Sequence, residues 1–144
     1  MSKTQNGTRH LLRNAIQCPD GTILESVYGH DFQGHVQEDG REYFVDGGLR
    51  YQRTGASDEE YTDLSVYTDD THEIIREAFK WTRNFDKNGK RLEKSEQRLL
   101  KELSNDHVEN LCYFTVKGYP DFINKVFVDE HNYRIDNELV VDEY

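Results

Sequence analysis

The chain has 144 residues, with 28 Asp or Glu against 18 Lys or Arg, so its formal net charge at neutral pH is −10. A charge of this sign opposes binding to nucleic acids and anionic membranes unless the cations are gathered in one place. The sequence shows no signal peptide and no long apolar run, so we expect neither secretion nor a membrane partner. Cys18 and Cys112 are far apart and neither lies in a CxxC motif, which favours two free thiols in a reducing compartment.

The first half of the chain has the pattern of short β-strands. Residues 1–10 are expected to form a flexible N-terminus. Asp-Gly steps at 20–21 and 39–40 separate runs of strand-forming residues, which is typical of β-hairpins. The predicted strands cover residues 11–18, 22–28, 31–37 and 41–46, followed by shorter ones at 49–53 and 64–67.

The second half changes from a period of two to a period near 3.6, which predicts helices. Asp70, with Glu73 three residues later, resembles a capping box at the start of a helix over residues 70–83. Its apolar stripe would contain Ile74, Ile75, Ala78, Phe79 and Thr82. A loop over 84–92 and three more helices follow, over 95–103, over 105–114 with Ser104 as N-cap, and after Pro120 with a stripe of Phe122, Ile123, Val126 and Phe127.

Strands followed by helices indicate an α+β fold, with an N-terminal antiparallel β-sheet of hairpins followed by C-terminal helices. The length fits one domain. We therefore predict a single α+β domain over residues 11–144, mostly β over 11–68 and mostly α over 69–137.

Positive charge is concentrated in one segment. Between Arg76 and Lys101 the chain carries nine of its eighteen Lys and Arg residues and four acids, with three aromatic residues among them. Cations that pair with phosphate, beside rings that stack on a base, suit a nucleotide-like ligand. The alternative is a solvated helix face whose aromatic residues belong to the core. Trp81 lies off the apolar stripe and is the better functional candidate.

A glycine turn is the second candidate site. Gly47 and Gly48 follow Asp46, and Arg50 and Arg53 come directly after them. Adjacent glycines can expose backbone N–H groups to an anion. A tight turn needs the same glycines, so turn formation is the alternative to ligand binding.

Patterns for catalysis or metal binding are weak. His30, Asp31 and His35 could form a metal site or an acid–base pair, but a structural hydrogen-bonding role explains them more simply. The chain contains no Ser-His-Asp order, P-loop, GxGxxG or HExxH motif. We expect no catalytic residue, no metal and no cofactor.

An ordered series of motifs resembles a family of small phage and prophage proteins. It comprises LRNAI at 12–16, DGTILES at 20–26, HDF at 30–32, VDGGLRYQR at 45–53, YTDLSVY at 61–67, DDTHEIIREAF at 69–79 and Trp81. The resemblance covers roughly residues 11–135 and points to the Thoeris anti-defence proteins, which sequester a cyclic ADP-ribose signal.

The resemblance implies a non-catalytic protein that binds the glycocyclic ADP-ribose made by a host TIR-domain enzyme and so keeps the downstream effector silent. Some relatives also bind a cyclic oligonucleotide at a separate site. It implies a homo-oligomer, dimer or higher, with ligand sites at subunit contacts, in the host cell cytoplasm if the chain is phage-encoded. Phe79 and the loop after it match the region expected to stack on adenine.

Two departures from the family pattern matter. Thr82-Arg83-Asn84 stands where related sequences have a glycine-containing loop start, and the helix from Ser104 lacks arginines. Phosphate contacts are then expected from residues such as Arg83, Lys90, Arg91 or Arg98. The predicted ligand residues are Phe79, Trp81, Arg83, Asn84, Arg76, Lys90 and Arg91, with Gly47, Gly48, Arg50 and Arg53 at a possible second site.

Two other functions remain open from the sequence. The charge of −10 suits an acidic DNA mimic or an inhibitor of a host enzyme. His30, Asp31 and His35 are the sole motivation for a phosphoesterase that acts on the same ligand.

Overall fold

A computed structural model describes residues 9–51, 53–86, 88–113 and 120–142. The fold is α+β, with antiparallel strands in the first part and helices in the C-terminal part, as predicted. The chain divides into two compact units, Met1–Asp70 and Thr71–Tyr144. The division lies close to the predicted change at residues 68–69, whereas the single domain stays a prediction. Residues 1–8, most of the expected flexible terminus, lie outside the described residues.

The first unit contains two antiparallel sheets. In one, β1 (Leu11–Gln17) pairs with β2 (Ile23–Ser26), β6 (Thr62–Asp63) and β7 (Val66–Tyr67). In the other, the order is β3 (Gln33–Val36), β4 (Glu42–Asp46) and β5 (Arg53–Ala56). Side chains alternate along each strand, so each sheet has an inward face. The inward residues form a buried cluster of Ile16, Cys18, Leu24, Tyr43 and Val45.

The first four predicted strands are confirmed in type and place. The predicted strand over 49–53 is wrong, because Gly47 and Gly48 adopt φ values of 103° and 56° and reverse the chain there. The strand instead begins at Arg53. The predicted strand over 64–67 is shorter than expected and is preceded by β6, which pairs with the end of β1.

The second unit combines a β-hairpin with helices. It contains α1 (His72–Arg76), β8 (Lys80–Phe85), β9 (Arg91–Leu99), a 3₁₀ turn (Leu100–Glu102), α2 (Asn105–Tyr113) and α3 (Asp121–Asp136). Its buried apolar residues include Ile75, Phe79, Leu100, Leu103, Val108, Val126 and Phe127. α3, with 16 residues, is the longest described helix, and none of the described helices has the length and hydropathy needed to cross a bilayer.

The helix predicted over 70–83 is wrong beyond its first turns. α1 has five residues, and its N-cap is Thr71. Asp70 instead accepts a hydrogen bond from the Tyr67 N–H at 2.8 Å. From Lys80 onward the chain is a strand, because β-formers such as Trp81 and Thr82 pair with β9 across the hairpin. The short helix and the residues after it bury Ile75, Ala78 and Phe79 of the predicted stripe, whereas Ile74 is 48% exposed.

The predicted loop over 84–92 is confirmed at its centre but is shorter, because β8 continues to Phe85 and β9 begins at Arg91, and the predicted helix over 95–103 is wrong. The Asn88-Gly89 step makes the hairpin turn, with Gly89 at φ 80° and the Asp86 N–H donating to the Lys90 carbonyl. β9 then runs from Arg91 to Leu99, and only the 3₁₀ turn after it is helical.

The last two helices are confirmed. Ser104 accepts a hydrogen bond from the His107 N–H at 3.1 Å, as expected of an N-cap. α3 begins directly after Pro120 and buries Ile123, Val126 and Phe127. Phe114, the last residue of the predicted 105–114 helix, lies outside the described residues.

Candidate functional site

An open cleft of about 450 Å³ lies in the second unit, between the β8–β9 hairpin and the start of α2. This volume is within the range of sites for small molecules. One wall is β8 and the hairpin turn, and the other is the first turns of α2. The lining residues are Trp81, Thr82, Arg83, Asn84, Phe85, Asp86 and Gly89 on one side and Ser104, Asp106, His107 and Asn110 on the other.

Trp81 forms an aromatic wall of the cleft, and two buried phenylalanine rings hold it in place. Its ring centroid lies 4.9 Å from that of Phe127 in an edge-on arrangement, and 6.2 Å from that of Phe79. The indole is only partly buried, so part of it faces the cleft. The prediction that Trp81 is the better functional candidate is compatible with this position.

Phe79 has a different place from the one predicted. Only 1% of it is exposed, and its ring packs edge-on against Phe127 at 6.2 Å. A ligand cannot stack on a ring that is enclosed by the core, so the expected adenine contact is wrong in this conformation. Phe79 acts instead as support for Trp81.

Arg83 lines the cleft, but its charge is largely compensated. It is 7% exposed, and its guanidinium donates to a Glu96 carboxylate oxygen at 3.1 Å. Arg98 donates to the same oxygen. These two arginines, with Arg83 foremost, hold the pKa of Glu96 below its usual value.

Arg76, also predicted to bind ligand, is engaged elsewhere. Its guanidinium donates to both carboxylate oxygens of Glu130 at 2.9 Å and lies 4.6 Å from the Tyr133 ring centroid. It is not among the residues that line the cleft. The cleft itself is not strongly cationic, because Asp86 and Asp106 line it together with the compensated Arg83.

Exposed cationic groups lie at the hairpin tip instead. Asp86 accepts hydrogen bonds from the N–H groups of Asn88 and Lys90, which fixes the turn. Lys90 and Arg91 are exposed, and the Arg91 guanidinium lies 5.7 Å from the ring centroid of Phe85, its cross-strand partner. Because Phe85 lines the cleft, we call Lys90 and Arg91 the cationic rim. Lys87, between the strands, lies outside the described residues.

Asn84 is oriented for an outside partner. The Ser95 hydroxyl donates to its side-chain oxygen. Its amide nitrogen makes no hydrogen bond to a described residue, so the two N–H groups remain for a ligand. The predicted residues Trp81, Arg83 and Asn84 therefore share one cleft.

The Gly47-Gly48 turn, in the first unit, does not present its N–H groups to an anion. The Gly47 N–H donates to Asp46 and the Gly48 N–H donates to the Ser26 hydroxyl, both at 2.8 Å. The Asn14 side-chain amide also holds the turn, because it donates hydrogen bonds to the backbone carbonyls of Asp46 and Gly48. The expectation that these N–H groups face a ligand is wrong, and turn formation accounts for both glycines.

Arg50 and Arg53, which follow the turn, are both exposed. The Arg50 guanidinium lies beside Gly29, and a Cβ at that glycine would stand 3.4 Å from the Arg50 Nε. Arg53 reaches toward Asp46, with 4.0 Å between its Nη1 and the carboxylate. Their predicted ligand contact stays a prediction.

His35 lacks the geometry of an acid–base relay. Asp20 and Thr22 both contact His35 through the same ring nitrogen, Nε2, at 2.8 and 3.3 Å. An acid–base relay needs the two ring nitrogens to have different partners. The hydrogen bond with His35 lowers the pKa of Asp20 to about 2. Asp31 accepts from the Val27 N–H and the Gln33 amide, which is the structural role predicted for it.

Within the described residues, no three His, Cys, Asp or Glu side chains are grouped to hold a metal ion. The sequence reasoning missed the α2 side of the cleft, formed by Ser104, Asp106, His107 and Asn110. Ser104 was identified as an N-cap, which places the next residues on the first helical turn. The first turn of α2 faces β8 because residues 80–99 form a hairpin, and the sequence pattern did not predict that hairpin.

The chain was compared with protein-family models, curated proteins and solved structures, and none of them matches. The resemblance to the anti-defence family therefore rests on the quoted motifs alone.

Proposed function

We propose that the protein binds a small anionic nucleotide in the cleft and sequesters it without turnover. Following the motif resemblance, the proposed ligand is a cyclic ADP-ribose-type immune signal, and binding would counteract a host TIR-based anti-phage defence. The observation that carries the proposal is that Trp81, Arg83 and Asn84, identified from the sequence as ligand residues, line the same cleft.

Each wall of the cleft has a proposed role. The Trp81 indole stacks on the base, as aromatic side chains do with nucleobases. Asn84, His107 and Asn110 supply hydrogen bonds for base and ribose edges. Asp106 accepts from base N–H or ribose hydroxyl groups. The phosphates project toward the cationic rim, where Lys90 and Arg91 are not already paired with a carboxylate among the described residues.

These contacts are of the right size for sequestration. Sub-micromolar affinity requires about −8 kcal/mol or better. One stacked base contributes about 1–3 kcal/mol, and each charge-assisted hydrogen bond about 1.5–3 kcal/mol. One stack and two phosphate contacts therefore supply a large part of the required energy. We propose that the protein also forms a homo-oligomer, in which a second copy would close the open side of the cleft.

The direct test is binding followed by release. The protein is incubated with glycocyclic ADP-ribose, ligand binding is measured by calorimetry, and the heat-denatured mixture is analysed by mass spectrometry. The expected result is sub-micromolar binding and recovery of the ligand intact. Recovery of a hydrolysis product would instead indicate the phosphoesterase, and absence of any binding would contradict the proposal.

Replacing Trp81 with alanine is expected to weaken ligand binding by about 5- to 150-fold, because one base stack is worth about 1–3 kcal/mol. Tyr28→Ala is the matched control, since it removes an exposed aromatic side chain from the first unit. Its affinity should equal that of the original protein. Calorimetry on both variants, with circular dichroism to confirm folding, makes the comparison. Equal affinities in the two variants would remove Trp81 from the site.

A second candidate function is an acidic inhibitor of a host protein. It is supported by the distribution of charge, because residues 1–70 carry thirteen acids against six Lys or Arg. Residues 71–144 are closer to balance, with fifteen acids against twelve. An acidic first unit would attract a basic partner.

A further inference from the structure

One face of the β3–β4–β5 sheet carries large apolar side chains that are exposed to solvent. We call it the glycine–aromatic face and define it by Phe32, Gly34, Val36, Phe44 and Gly55. Phe32 and Val36 are each 60% exposed. The opposite side of β4 supplies the buried Tyr43 and Val45, so the glycine–aromatic face is the outward side of the sheet.

The two glycines shape this face. Gly34, Phe44 and Gly55 stand opposite one another across the three strands. The Phe44 ring covers Gly55, where a Cβ would come within 1.8 Å of it, and the Phe32 ring covers Gly34 at 2.9 Å. The two rings stack with centroids 5.1 Å apart. The result is an aromatic surface in which neither cross-strand partner of Phe44 carries a side chain.

Carboxylates flank the aromatic surface along β4. Glu42, Phe44 and Asp46 alternate with the buried residues and therefore share the outward side. Residues two apart on a strand are separated by about 7 Å. The exposed Glu42 forms no ion pair with a described residue. Asp46 is less open, because its side chain is 14% exposed and accepts a hydrogen bond from the Gly47 N–H. The exposed Arg53 guanidinium lies 5.7 Å from the Phe44 ring centroid and 4.0 Å from Asp46, so a partner's cation at Phe44 and Asp46 would take the place of Arg53.

We propose that the glycine–aromatic face binds an extended, basic segment of a partner protein. Arg or Lys side chains four residues apart in such a segment match the spacing of Glu42 and Asp46, about 14 Å, and one midway between them reaches Phe44. A guanidinium on Phe44 gains a cation–π contact in addition to its carboxylate partner. The excess of thirteen acids over six bases in residues 1–70 steers such a segment to this unit.

Other occupants fit less well. A second copy of this face would bring two acidic units together, which opposes association. An anionic ligand would meet Glu42 and Asp46 beside the rings. The proposal is independent of the nucleotide cleft, which lies wholly in the second unit.

The test uses the full-length protein and two fluorescein-labelled octapeptides, one alternating Arg with Thr and one alternating Glu with Thr. Fluorescence anisotropy is expected to show binding of the arginine peptide and none of the glutamate peptide. Glu42→Lys should weaken the arginine peptide at least about fivefold more than Glu59→Lys, which changes the net charge equally at another exposed site of the same unit. Val36→Thr, at an exposed position, should weaken it without a change of charge.

Three results would overturn the proposal. One is equal weakening by Glu42→Lys and Glu59→Lys, which would reveal unspecific attraction. Another is failure of the arginine peptide to bind. The third is a dimer, seen by sedimentation, that Val36→Thr dissociates, because the face would then be occupied by a second copy. Calorimetry with the nucleotide on the same variants keeps this outcome separate from that of the cleft.

Discussion

Replacing Glu130 with alanine is expected to lower the free energy of unfolding by about 3–5 kcal/mol. The carboxylate is fully buried in the second unit and accepts hydrogen bonds from Arg76, from Arg134 at 2.7 Å and from His72 at 2.9 Å. Alanine would leave two guanidinium groups in the interior without their anion. A buried charge that has lost its partner destabilises the folded state, because its lost hydration is no longer compensated. Denaturant unfolding followed by circular dichroism measures the loss.

Asp129→Ala is the matched control. Asp129 is the neighbouring residue of α3 and pairs with Lys125 at 2.6 Å, but both side chains are exposed to solvent. A surface pair of this kind contributes about 0–1 kcal/mol. If Glu130→Ala costs no more than Asp129→Ala, the buried network does not stabilise the fold.

The same network predicts a loss of stability in acid. Burial alone would raise the pKa of Glu130, but the hydrogen bonds from His72, Arg76 and Arg134 outweigh it and lower the pKa to about 2. A carboxyl with a depressed pKa stabilises the fold above its unfolded value of 4.5, and this contribution is lost as the pH falls toward 2. The difference in unfolding free energy between the original protein and Glu130→Gln should therefore shrink between pH 5 and pH 2. A difference that does not change with pH would contradict the assignment.

Replacing Gly47 with alanine is expected to destabilise the first unit by about 3–5 kcal/mol. Gly47 has φ of 103°, and an added Cβ would lie 2.1 Å from the Tyr51 carbonyl oxygen. The backbone oxygen cannot rotate away as a side chain would, so the turn itself must shift. Thermal unfolding by circular dichroism, combined with ligand calorimetry, provides the measurement.

Gly21→Ala is the control that separates the strain of a positive φ from the steric clash of the added Cβ. Gly21 has nearly the same φ, 95°, but nothing lies within 4 Å of an added Cβ. Its substitution should cost only the backbone strain of about 1–2 kcal/mol. If Gly47→Ala were no more destabilising than Gly21→Ala but reduced ligand affinity, Gly47 would belong to a binding site instead of a structural turn.

The hairpins of the first unit were predictable because their signals are local. An Asp-Gly step makes a turn from two adjacent residues, and alternation fixes the faces of each strand. The second hairpin also has such a step, Asn88-Gly89. However, the lysines and arginines around it give the sequence the charge pattern of a solvent-exposed helix. In addition, Trp81 pairs with Arg98, which is 17 residues away in the sequence. Strand propensity is decided by such cross-strand partners, which a local pattern does not contain.

The same limit applies to the site. Trp81 was found because it does not fit the apolar stripe, and Asn84 because it follows the aromatic segment. Arg76 was misassigned because its partner, Glu130, is 54 residues away. A sequence does not show which carboxylate a cation pairs with. In the structure, four of the nine cations are paired with described carboxylates: Arg76, Arg83, Arg98 and Lys101.

Trp81 has a consequence for measurement as well as for binding. It is the only tryptophan of the chain, and it lies between the cleft and the Phe127 ring of the second unit. Its emission is therefore an intrinsic reporter of that unit, because residues 1–70 contribute tyrosine but no tryptophan. Selective excitation of the indole would follow cleft occupancy and unfolding of the second unit without a label, while the first unit stays spectroscopically silent.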